Sequence, residues 1–274
     1  MLRYPDIDPV AVDFGFFKIH WYGISYVVGI LLAWWLLHGR SQSSRPDWTR
    51  EQVADLIFYG TLGIILGGRL GSVLFYNFSY YLEHPLEIIM INKGGMSFHG
   101  GLIGVCIALW LFARKQGKSV ISVLDFVAPA GPVGLFFGRL ANFVNGELWG
   151  RPTDVPWAMV FPHVDDLPRH PSQLYEAMLE GVVLFVVLWW YSRRPRPAMA
   201  VSGLFLTLYG LFRGSIECFR QPDRQLGFLA GDWLTMGMLL CIPMVISGMV
   251  MLWLAYRIKP RQPLSEKSLD SHGQ

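Results

Sequence analysis

Charged residues are scarce in this sequence, which argues against an ordinary soluble domain. Only 16% of the 274 residues are Asp, Glu, Lys or Arg, 53% are hydrophobic, and the mean hydropathy is +0.36. Soluble domains carry about 25% charged residues, so this composition indicates an integral membrane protein. The small net charge of +3 reflects basic loops and does not indicate binding to nucleic acid.

The sequence also lacks the motifs of several common chemistries. It has no HExxH, CxxC, P-loop, GxSxG or dinucleotide fingerprint. Cys106, Cys218 and Cys241 lie in three separate apolar stretches, which indicates buried hydrophobic side chains and not a disulfide framework or a metal site. The histidines are too scattered for a metal site, so we expect no metal.

Seven apolar stretches are long enough to cross a bilayer, at about 20 residues per crossing. They cover roughly residues 17–37, 53–76, 98–113, 120–145, 172–191, 201–219 and 232–256. We therefore predict an all-α integral membrane protein with seven transmembrane helices, forming one polytopic domain over residues 1–259. The polar segment 260–274 is predicted to be a disordered cytoplasmic tail.

The third predicted span is the shortest. Gly94, Gly95, Gly100 and Gly101 interrupt the apolar stretch that begins near Leu86. We interpret this pattern as a helix that is broken or re-entrant near one membrane surface. Such a backbone is tolerated at membrane depth only where protein or water covers it.

The distribution of Lys and Arg predicts the orientation, because cytoplasmic loops carry an excess of both. The loops after spans one, three and five and the carboxyl-terminal tail are rich in them, whereas the alternate loops hold fewer. We therefore expect the amino terminus outside and the carboxyl terminus inside, on the cytoplasmic side. The first apolar stretch follows Asp6, Asp8 and Asp13 and lacks a small-residue cleavage site, so we interpret it as a retained span and not a signal peptide.

Three arginines lie inside predicted spans, where an ionisable group needs a partner or a wet cavity. Arg69, Arg139 and Arg213 belong to spans two, four and six. Each falls within about two helical turns of the outer end, which puts all three on the order of 10 Å below the outer surface. Guanidinium groups at one depth predict an anion site, and the anion they bind bidentately in a bilayer is a lipid phosphate.

A purely structural network is the alternative for these arginines. The glutamates that could neutralise them are Glu147, Glu176, Glu180 and Glu217. Glu217 follows Arg213 by one helical turn, so the two can pair within one helix. Arg139 and Asn142 are three residues apart and share a helix face. Both interpretations can hold together.

His99 is the candidate for proton transfer. It lies in GGMSFHGG at the outer end of span three, near the depth predicted for the arginines. Imidazole titrates near neutral pH and can take a proton from a thiol or hydroxyl, while a structural hydrogen bond is the alternative role. His20, in HWYG, is a second candidate, and its alternative role is in an interfacial aromatic belt.

Five segments stand out as candidate motifs: GGMSFHGG (94–101), GRLANFVNGELWGR (138–151), RHPSQLYE (169–176), YGLFRGSIECFRQPD (209–223) and HWYG (20–23). They resemble the motifs of the bacterial phosphatidylglycerol–prolipoprotein diacylglyceryl transferase family. The resemblance covers nearly the whole chain, in order. It implies a multi-pass enzyme of the bacterial inner membrane with seven spans and a periplasmic amino terminus. The implied reaction moves the diacylglyceryl group of phosphatidylglycerol onto the thiol of a prolipoprotein's lipobox cysteine, forming a thioether and releasing glycerol 1-phosphate.

The resemblance also implies functional positions. They fall on Tyr22, His99, Arg139, Asn142, Glu147, Gly150, Tyr209, Arg213 and Glu217. In the implied chemistry, Arg139 and Arg213 hold the lipid phosphate and His99 takes the thiol proton or positions the group that does. Asn142 and Glu147 orient the headgroup or the arginines. Arg69 is interpreted as structural or as a guard of the same cavity.

The implied partners are phosphatidylglycerol, the prolipoprotein signal peptide and membrane lipids, with no metal or diffusible cofactor. A lipid or anion transporter is the alternative from a different class, because embedded arginines and a Gly-broken helix also suit it. A transporter should carry polar groups through the whole membrane, whereas here they gather in the outer part. An intramembrane protease is not indicated, since the sequence lacks a GxSxG serine and a pair of embedded aspartates.

Overall fold

The structure is a computed structural model, and it describes residues 2–257 apart from residues 6, 17, 91–93, 223–226, 228, 230 and 232. Its α-helices are, in chain order, α1 (Trp21–Ser43), α2 (Arg50–Gly71), α3 (Phe78–Glu83), α4 (Phe98–Lys115), α5 (Val120–Val127), α6 (Gly131–Val144), α7 (Ser172–Glu176), α8 (Leu184–Tyr191), α9 (Ala200–Ile216) and α10 (Met236–Arg257). Its strands are β1 (Leu2–Arg3), β2 (Val10–Asp13), β3 (Lys18–His20), β4 (Met159–Val160) and β5 (Pro168–Arg169). The predicted tail, residues 260–274, lies outside the described residues.

Within the described residues, six helical segments are long and apolar enough to cross a membrane. They are Trp21–Ser43, Arg50–Tyr76, Phe98–Lys115, Val120–Val144, Ser172–Tyr191 and Met236–Arg257. The helix predicted at 201–219 is present as α9, but it ends at Ile216 and has only 17 residues. The prediction of a mainly helical, multi-pass membrane protein is confirmed, and the count of seven crossings stays a prediction.

Three of these segments contain turns that are not α-helical. α2 continues into a π-helical turn over Ser72–Tyr76, a 3-10 turn over Ala128–Ala130 joins α5 to α6, and a π-helical stretch over Ala177–Val183 joins α7 to α8. π-helical turns inside helices occur frequently at functional sites. The stretch between α7 and α8 begins directly after Glu176 and contains Glu180, two residues of the site described below.

α2 and α4 pack through glycines. Gly63, Gly67 and Gly71 of α2 lie against Gly100 and Gly104 of α4. A Cβ atom on Gly67 would lie 2.3 Å from the carbonyl oxygen of Gly100, and one on Gly104 would lie 2.1 Å from that of Gly63. Small residues let helix backbones approach closely inside a membrane. The glycine spacing in this region therefore serves helix packing.

The helical structure breaks before the third span, as predicted. α3 and a 3-10 turn over Pro85–Ile89 follow the end of α2, the described residues 94–97 are not helical, and α4 begins at Phe98. Ser97 caps α4 by accepting a hydrogen bond from the backbone N–H of Gly100 at 3.1 Å. This cap places His99 in the first turn of α4.

A small sheet, which the all-α prediction did not include, lies at the end of α6. β4 pairs with β1 in parallel and with β5 antiparallel. The Tyr4 hydroxyl, next to β1, donates to the carbonyl oxygen of Val144 at the end of α6 at 2.7 Å. Strands of two residues leave no alternating pattern in a sequence. The sheet ties the amino terminus to the loop that follows α6.

Candidate functional site

Six charged side chains meet between the end of α6, the segment from α7 to α8, and the end of α9. They are Arg139, Glu176, Glu180, Arg213, Glu217 and Arg220. Glu176 and Glu180 are fully buried, and the arginine side chains are 10–16% exposed. We call these six residues the charged cluster. Its three positive and three negative charges balance, which makes burial of so many ions tolerable.

Glu176 is the centre of the charged cluster. Its Oε2 lies 3.2 Å from Nε of Arg139, while its Oε1 lies 3.4 Å from Nη1 of Arg213 and 3.5 Å from Nη1 of Arg220. One carboxylate therefore holds three guanidinium groups that come from α6 and from the end of α9. Like charges placed so closely would repel one another without it.

The other two carboxylates extend the charged cluster on either side. Glu180 lies 3.3 Å from Nη2 of Arg139. Glu217 pairs with Arg213, and its Oε1 accepts a hydrogen bond from the Thr235 hydroxyl at 2.9 Å. The predicted pairing of glutamates with the arginines is confirmed for these two glutamates and for Glu176. Pairing alone does not exclude a ligand, because both arginines keep part of their surface exposed.

Several buried atoms of the charged cluster have ionic neighbours but no hydrogen bond. They are both carboxylate oxygens of Glu176, Oε1 of Glu180, Oε2 of Glu217 and Nη1 of Arg213. The buried amide oxygen of Gln173, beside the charged cluster on α7, also has no hydrogen-bond partner. Buried polar atoms in native proteins nearly always have a hydrogen-bond partner. The charged cluster therefore has capacity to bind a further polar group.

The loop after α6 folds back over the end of that helix. The Glu147 backbone N–H donates to the carbonyl oxygen of Asn142 at 2.9 Å, and the Glu147 carbonyl accepts from the Gln173 amide at 2.5 Å. Gly146 has a φ of +66°, and a Cβ there would lie 2.5 Å from the ring of His163. The Glu147 side chain is exposed and accepts a bond from the Asn145 amide at 2.6 Å, so it stands outside the charged cluster.

Gly150 lies where three chain segments cross. Its N–H donates to the carbonyl oxygen of His170 at 2.9 Å, and it pairs with Arg220 in an isolated β-bridge. A Cβ atom would lie 2.5 Å from the His170 carbonyl oxygen and 2.7 Å from that of Phe219. Gly150 thus acts by leaving room for backbone, and it fixes the segment that carries Arg220 into the charged cluster.

Two tyrosines among the predicted site residues lie close to the charged cluster. Tyr22, in the first turn of α1, is within electrostatic reach of Glu147 and Arg139. Its hydroxyl lies 3.1 Å from that of Tyr26. Tyr209, one helical turn before Arg213, is within electrostatic reach of Arg139 and Glu180. The structure therefore brings Tyr22 and Tyr209 to the same end of the helices as the arginines.

The two histidine candidates are not joined to the charged cluster by any hydrogen bond or ion pair of the described residues. His99 is exposed on the first turn of α4, and its ring lies 5.6 Å from that of Phe98, centroid to centroid. His20 is exposed at the end of β3, where it precedes α1 without capping it through its side chain.

Arg69 does not join the other arginines, contrary to the predicted three-arginine anion site. Its five N–H groups donate to five backbone carbonyl oxygens, those of Glu87, Ile88, Met90, Gly94 and Gly95. Its guanidinium also lies 5.1 Å from the ring centroid of Tyr81. Arg69 therefore holds the segment between α2 and α4, as its structural interpretation predicted.

Arg220 takes the place that was predicted for Arg69. Its position in the sequence does not mark it as a membrane-embedded charge, because it lies beyond the predicted span 201–219. The signal was available in its spacing, since Arg213, Glu217 and Arg220 recur at intervals of four and three residues and so fall on one helical stripe.

Comparison with known proteins identifies the family. Residues 9–254 match the family model of the prolipoprotein diacylglyceryl transferases. The chain belongs to this family. It is 58% identical over 261 residues to the phosphatidylglycerol–prolipoprotein diacylglyceryl transferase of Coxiella burnetii, which covers 95% of this chain and 100% of the relative. The protein of the same name from Methylococcus capsulatus is 58% identical over 257 residues, covering 93% of this chain and 98% of the relative. That from Azotobacter vinelandii is 56% identical over 262 residues, covering 95% and 99%.

For a prolipoprotein diacylglyceryl transferase, the charged cluster offers two kinds of group in one buried place. Guanidinium donors bind phosphate oxygens, and carboxylate oxygens accept hydrogen bonds from hydroxyl groups. Within the described residues, no group of three or more His, Cys, Asp or Glu side chains is placed to hold a metal ion. The guanidinium and carboxylate groups of the charged cluster themselves offer anion binding and hydrogen bonding.

Proposed function

We propose that the charged cluster is the active site of a diacylglyceryl transfer, in which the chain takes the group from phosphatidylglycerol and passes it to a prolipoprotein. Family membership supports the reaction. The observation that supports the site is the position of Glu176, which holds Arg139, Arg213 and Arg220 within 3.2–3.5 Å of its carboxylate. Three guanidinium groups gathered in this way can receive a phosphate without being assembled during the reaction.

In the proposed step, the thiolate of the lipobox cysteine attacks the glycerol carbon that carries the phosphate ester. A carbon–sulfur bond forms, the carbon–oxygen bond breaks, and glycerol 1-phosphate leaves with the electron pair. Arg139 and Arg213 bind the phosphate throughout. They accelerate the reaction to the extent that their bonds strengthen as charge grows on the leaving oxygen.

His99 is our proposed acceptor of the thiol proton or the residue that positions that acceptor. A free cysteine thiol has a pKa of about 8.5, so a base that titrates near neutral pH is sufficient. The exposed position of His99 on the first turn of α4 suits contact with a membrane-embedded peptide. Asn142, Glu147 and Tyr22, at the same end of the helices as the arginines, would orient the headgroup.

We propose seven crossings of the bacterial inner membrane, with a periplasmic amino terminus and a cytoplasmic carboxyl terminus. α9 has 17 residues, which at 1.5 Å per residue covers roughly 25 Å of a hydrocarbon core about 30 Å thick. The basic loops support this orientation. The charged cluster then lies on the periplasmic side, and both substrates reach it sideways from the lipid.

The first test is turnover by the purified protein in detergent, with phosphatidylglycerol and a lipobox peptide. We expect release of glycerol phosphate that requires the peptide's cysteine and collapses in Arg139→Ala and His99→Gln. Arg114→Ala, which changes an exposed arginine packed on Trp110, is the matched control and should retain turnover.

Three outcomes would count against the proposal. Full turnover by Arg139→Ala would remove its role as a phosphate clamp, and full turnover by His99→Gln would remove that of proton acceptor. If the folded wild-type protein gave no cysteine-dependent release, the transferase reaction itself would be rejected, and phosphatidylglycerol transport in vesicles would be the next assay.

A further inference from the structure

A second polar cavity lies at the other end of the helices from the charged cluster. Arg40, Ser43 and Ser44, at the end of α1, and Trp189 and Arg193, at the end of α8, line a cavity of about 280 Å³. Glu176 ends α7, and Arg193 follows the end of α8 in the same helical segment. At 1.5 Å per residue, the two sites are therefore roughly 25 Å apart. In the orientation proposed above, this cavity opens at the cytoplasmic surface.

Arg40 is a buried arginine whose guanidinium group is only partly hydrogen-bonded. The residue is 4% exposed, it donates through Nη1 to the Ser192 hydroxyl, and its guanidinium lies 5.8 Å from the ring centroid of Phe126. Its Nε has no hydrogen-bond partner, and no ion pair within the described residues includes it. A buried guanidinium is normally paired with an anion.

The carboxylates that interact electrostatically with Arg40 are engaged elsewhere. Asp125, on α5, accepts bonds from the backbone N–H groups of Met199 and Ser202 and from the Ser202 hydroxyl. Asp47 is paired with Arg45, with an N–O distance of 2.8 Å. No Asp or Glu lines the cavity, so its described lining offers donors and no competing anion.

We propose that this cavity binds a phosphate group, with Arg40 and Arg193 as the guanidinium donors and Ser43 and Ser44 as hydroxyl donors. Helix carboxyl termini carry partial negative charge and favour basic side chains by themselves, so the basic lining alone would not indicate a ligand. The unpartnered Nε of the buried Arg40 is the independent observation. Two sources offer the same chemistry: an anionic phospholipid headgroup, which Trp189 at the bilayer interface would suit, or free phosphate.

The test uses thermal unfolding of the purified protein in a nonionic detergent. Phosphatidic acid, phosphatidylcholine and inorganic phosphate are titrated separately into the wild type, Arg193→Gln and the matched control Arg194→Gln. Arg194 is the next residue, is also exposed, and does not line the cavity. We expect an anion-dependent rise in Tm whose half-saturating concentration is about tenfold higher for Arg193→Gln, because one charge-assisted hydrogen bond is lost. Arg194→Gln should match the wild type.

The titrants assign the source of the phosphate. A rise with phosphatidic acid but not with inorganic phosphate assigns the site to a lipid headgroup, and equal rises with both assign it to phosphate itself. Arg193→Lys, which keeps the charge but loses the bidentate fork, should fall between wild type and Arg193→Gln. An unchanged half-saturating concentration in Arg193→Gln, or equal losses in Arg193→Gln and Arg194→Gln, would overturn the proposal.

Discussion

Arg69 and Arg139 lie in similar stretches of sequence but have different partners in the structure. Arg69 belongs to GGRLGSVLFYN, from Gly67, and Arg139 to FGRLANFVNGE, from Phe137. In the structure, all five N–H groups of Arg69 donate to backbone carbonyl oxygens. Arg139 instead faces the carboxylates of Glu176 and Glu180 at 3.2 and 3.3 Å, with part of its side chain exposed.

The difference lies in the partners of each guanidinium group, and it supports our proposal that Arg69 is structural and that Arg139 is functional. Depth in the membrane and local sequence do not separate them, but the use of their donors does. Arg69 has no N–H left for a ligand, and its partners are fixed dipoles of the backbone. The partners of Arg139 and Arg213 are side-chain carboxylates, several oxygens of which have no hydrogen bond. Arg139 and Arg213 also keep part of their side chains exposed, so our proposal places the phosphate at the charged cluster and not at Arg69.

The largest effect that the comparison predicts is on turnover. Arg139→Gln should lower turnover by about 10³-fold, because a charged donor to the departing phosphate is lost. The measurement is glycerol phosphate release per folded molecule, with the folded fraction determined by size-exclusion chromatography. Arg69→Gln is the matched variant and should lower Tm while changing turnover per folded molecule less than tenfold. Equal losses of turnover in both variants would abolish the distinction between the two arginines.

The next largest effect is on stability, and it concerns the packing of α2, which carries Arg69, against α4. Gly67→Ala should destabilise the protein by about 3 kcal/mol, because its Cβ would lie 2.3 Å from the Gly100 carbonyl oxygen and would force α2 and α4 apart. Gly60→Ala, in the same helix, has no atom within 4 Å of its Cβ position and should be neutral or slightly stabilising. Unfolding monitored by circular dichroism in detergent gives both values. A Tm for Gly67→Ala equal to that of the wild type would contradict the close packing.

A smaller effect on turnover is expected from a change beside the charged cluster, which contains Arg139. Thr235→Val removes the hydrogen bond to Oε1 of Glu217 and should lower turnover by about tenfold, since Glu217 is left freer to move away from Arg213. Thr207→Val is the control, because that hydroxyl bonds to the Gly203 carbonyl within α9. If both variants turned over at the wild-type rate, Thr235 would have no part in holding the charged cluster.

The smallest effect concerns Arg169, which lies outside the spanning helices. Like Arg139 it pairs with a carboxylate, and like Arg69 it donates to a backbone carbonyl oxygen. It pairs with Asp165 at 2.5 Å and donates to the Gly150 carbonyl oxygen at 3.1 Å. Hydrogen bonds from Arg169 hold the pKa of Asp165 below its usual range. A lowered folded-state pKa stabilises the protein at neutral pH, and this contribution is lost as the pH falls through the folded value.

We therefore expect Asp165→Asn to lower Tm slightly at pH 7, with the difference from wild type disappearing in acid. Asp166→Asn, at an exposed neighbouring residue, is the control and should not share this pH dependence. A Tm difference for Asp165→Asn that persisted unchanged below pH 3 would show that the ion pair is not its cause.

The helical layout could be predicted from sequence because membrane spans follow from long apolar stretches. The break before α4 was also visible, since Gly94 and Gly95 adopt positive φ values of +80° and +74° that glycine tolerates. The end of α9 at Ile216 was not, because the chain is redirected there by the bridge between Gly150 and Arg220, a contact between residues far apart in sequence. The pairing of β1 with β4 was missed for the same reason.

The site was only partly predictable. Arg139 and Arg213 were found because a charge inside an apolar stretch is conspicuous. Their shared dependence on Glu176 could not be seen, since it arises from packing of α6, α7 and α9 against one another. Arg69 was grouped with them because its depth in the membrane can be estimated from the sequence. Its hydrogen bonds to backbone carbonyl oxygens of residues 87–95 depend on tertiary structure and could not be seen.

The pairing of β1 with β4 constrains the order in which the molecule can be completed. Leu2 and Arg3 pair with Met159 and Val160, and Tyr4 bonds to Val144. Because a chain is synthesised from its amino terminus, Leu2 and Arg3 must wait, unpaired, until the chain as far as β4 has been made. The sheet at the end of α6 is therefore completed late in biogenesis, and a bulky fusion at the amino terminus should hinder maturation after insertion of the helices has succeeded.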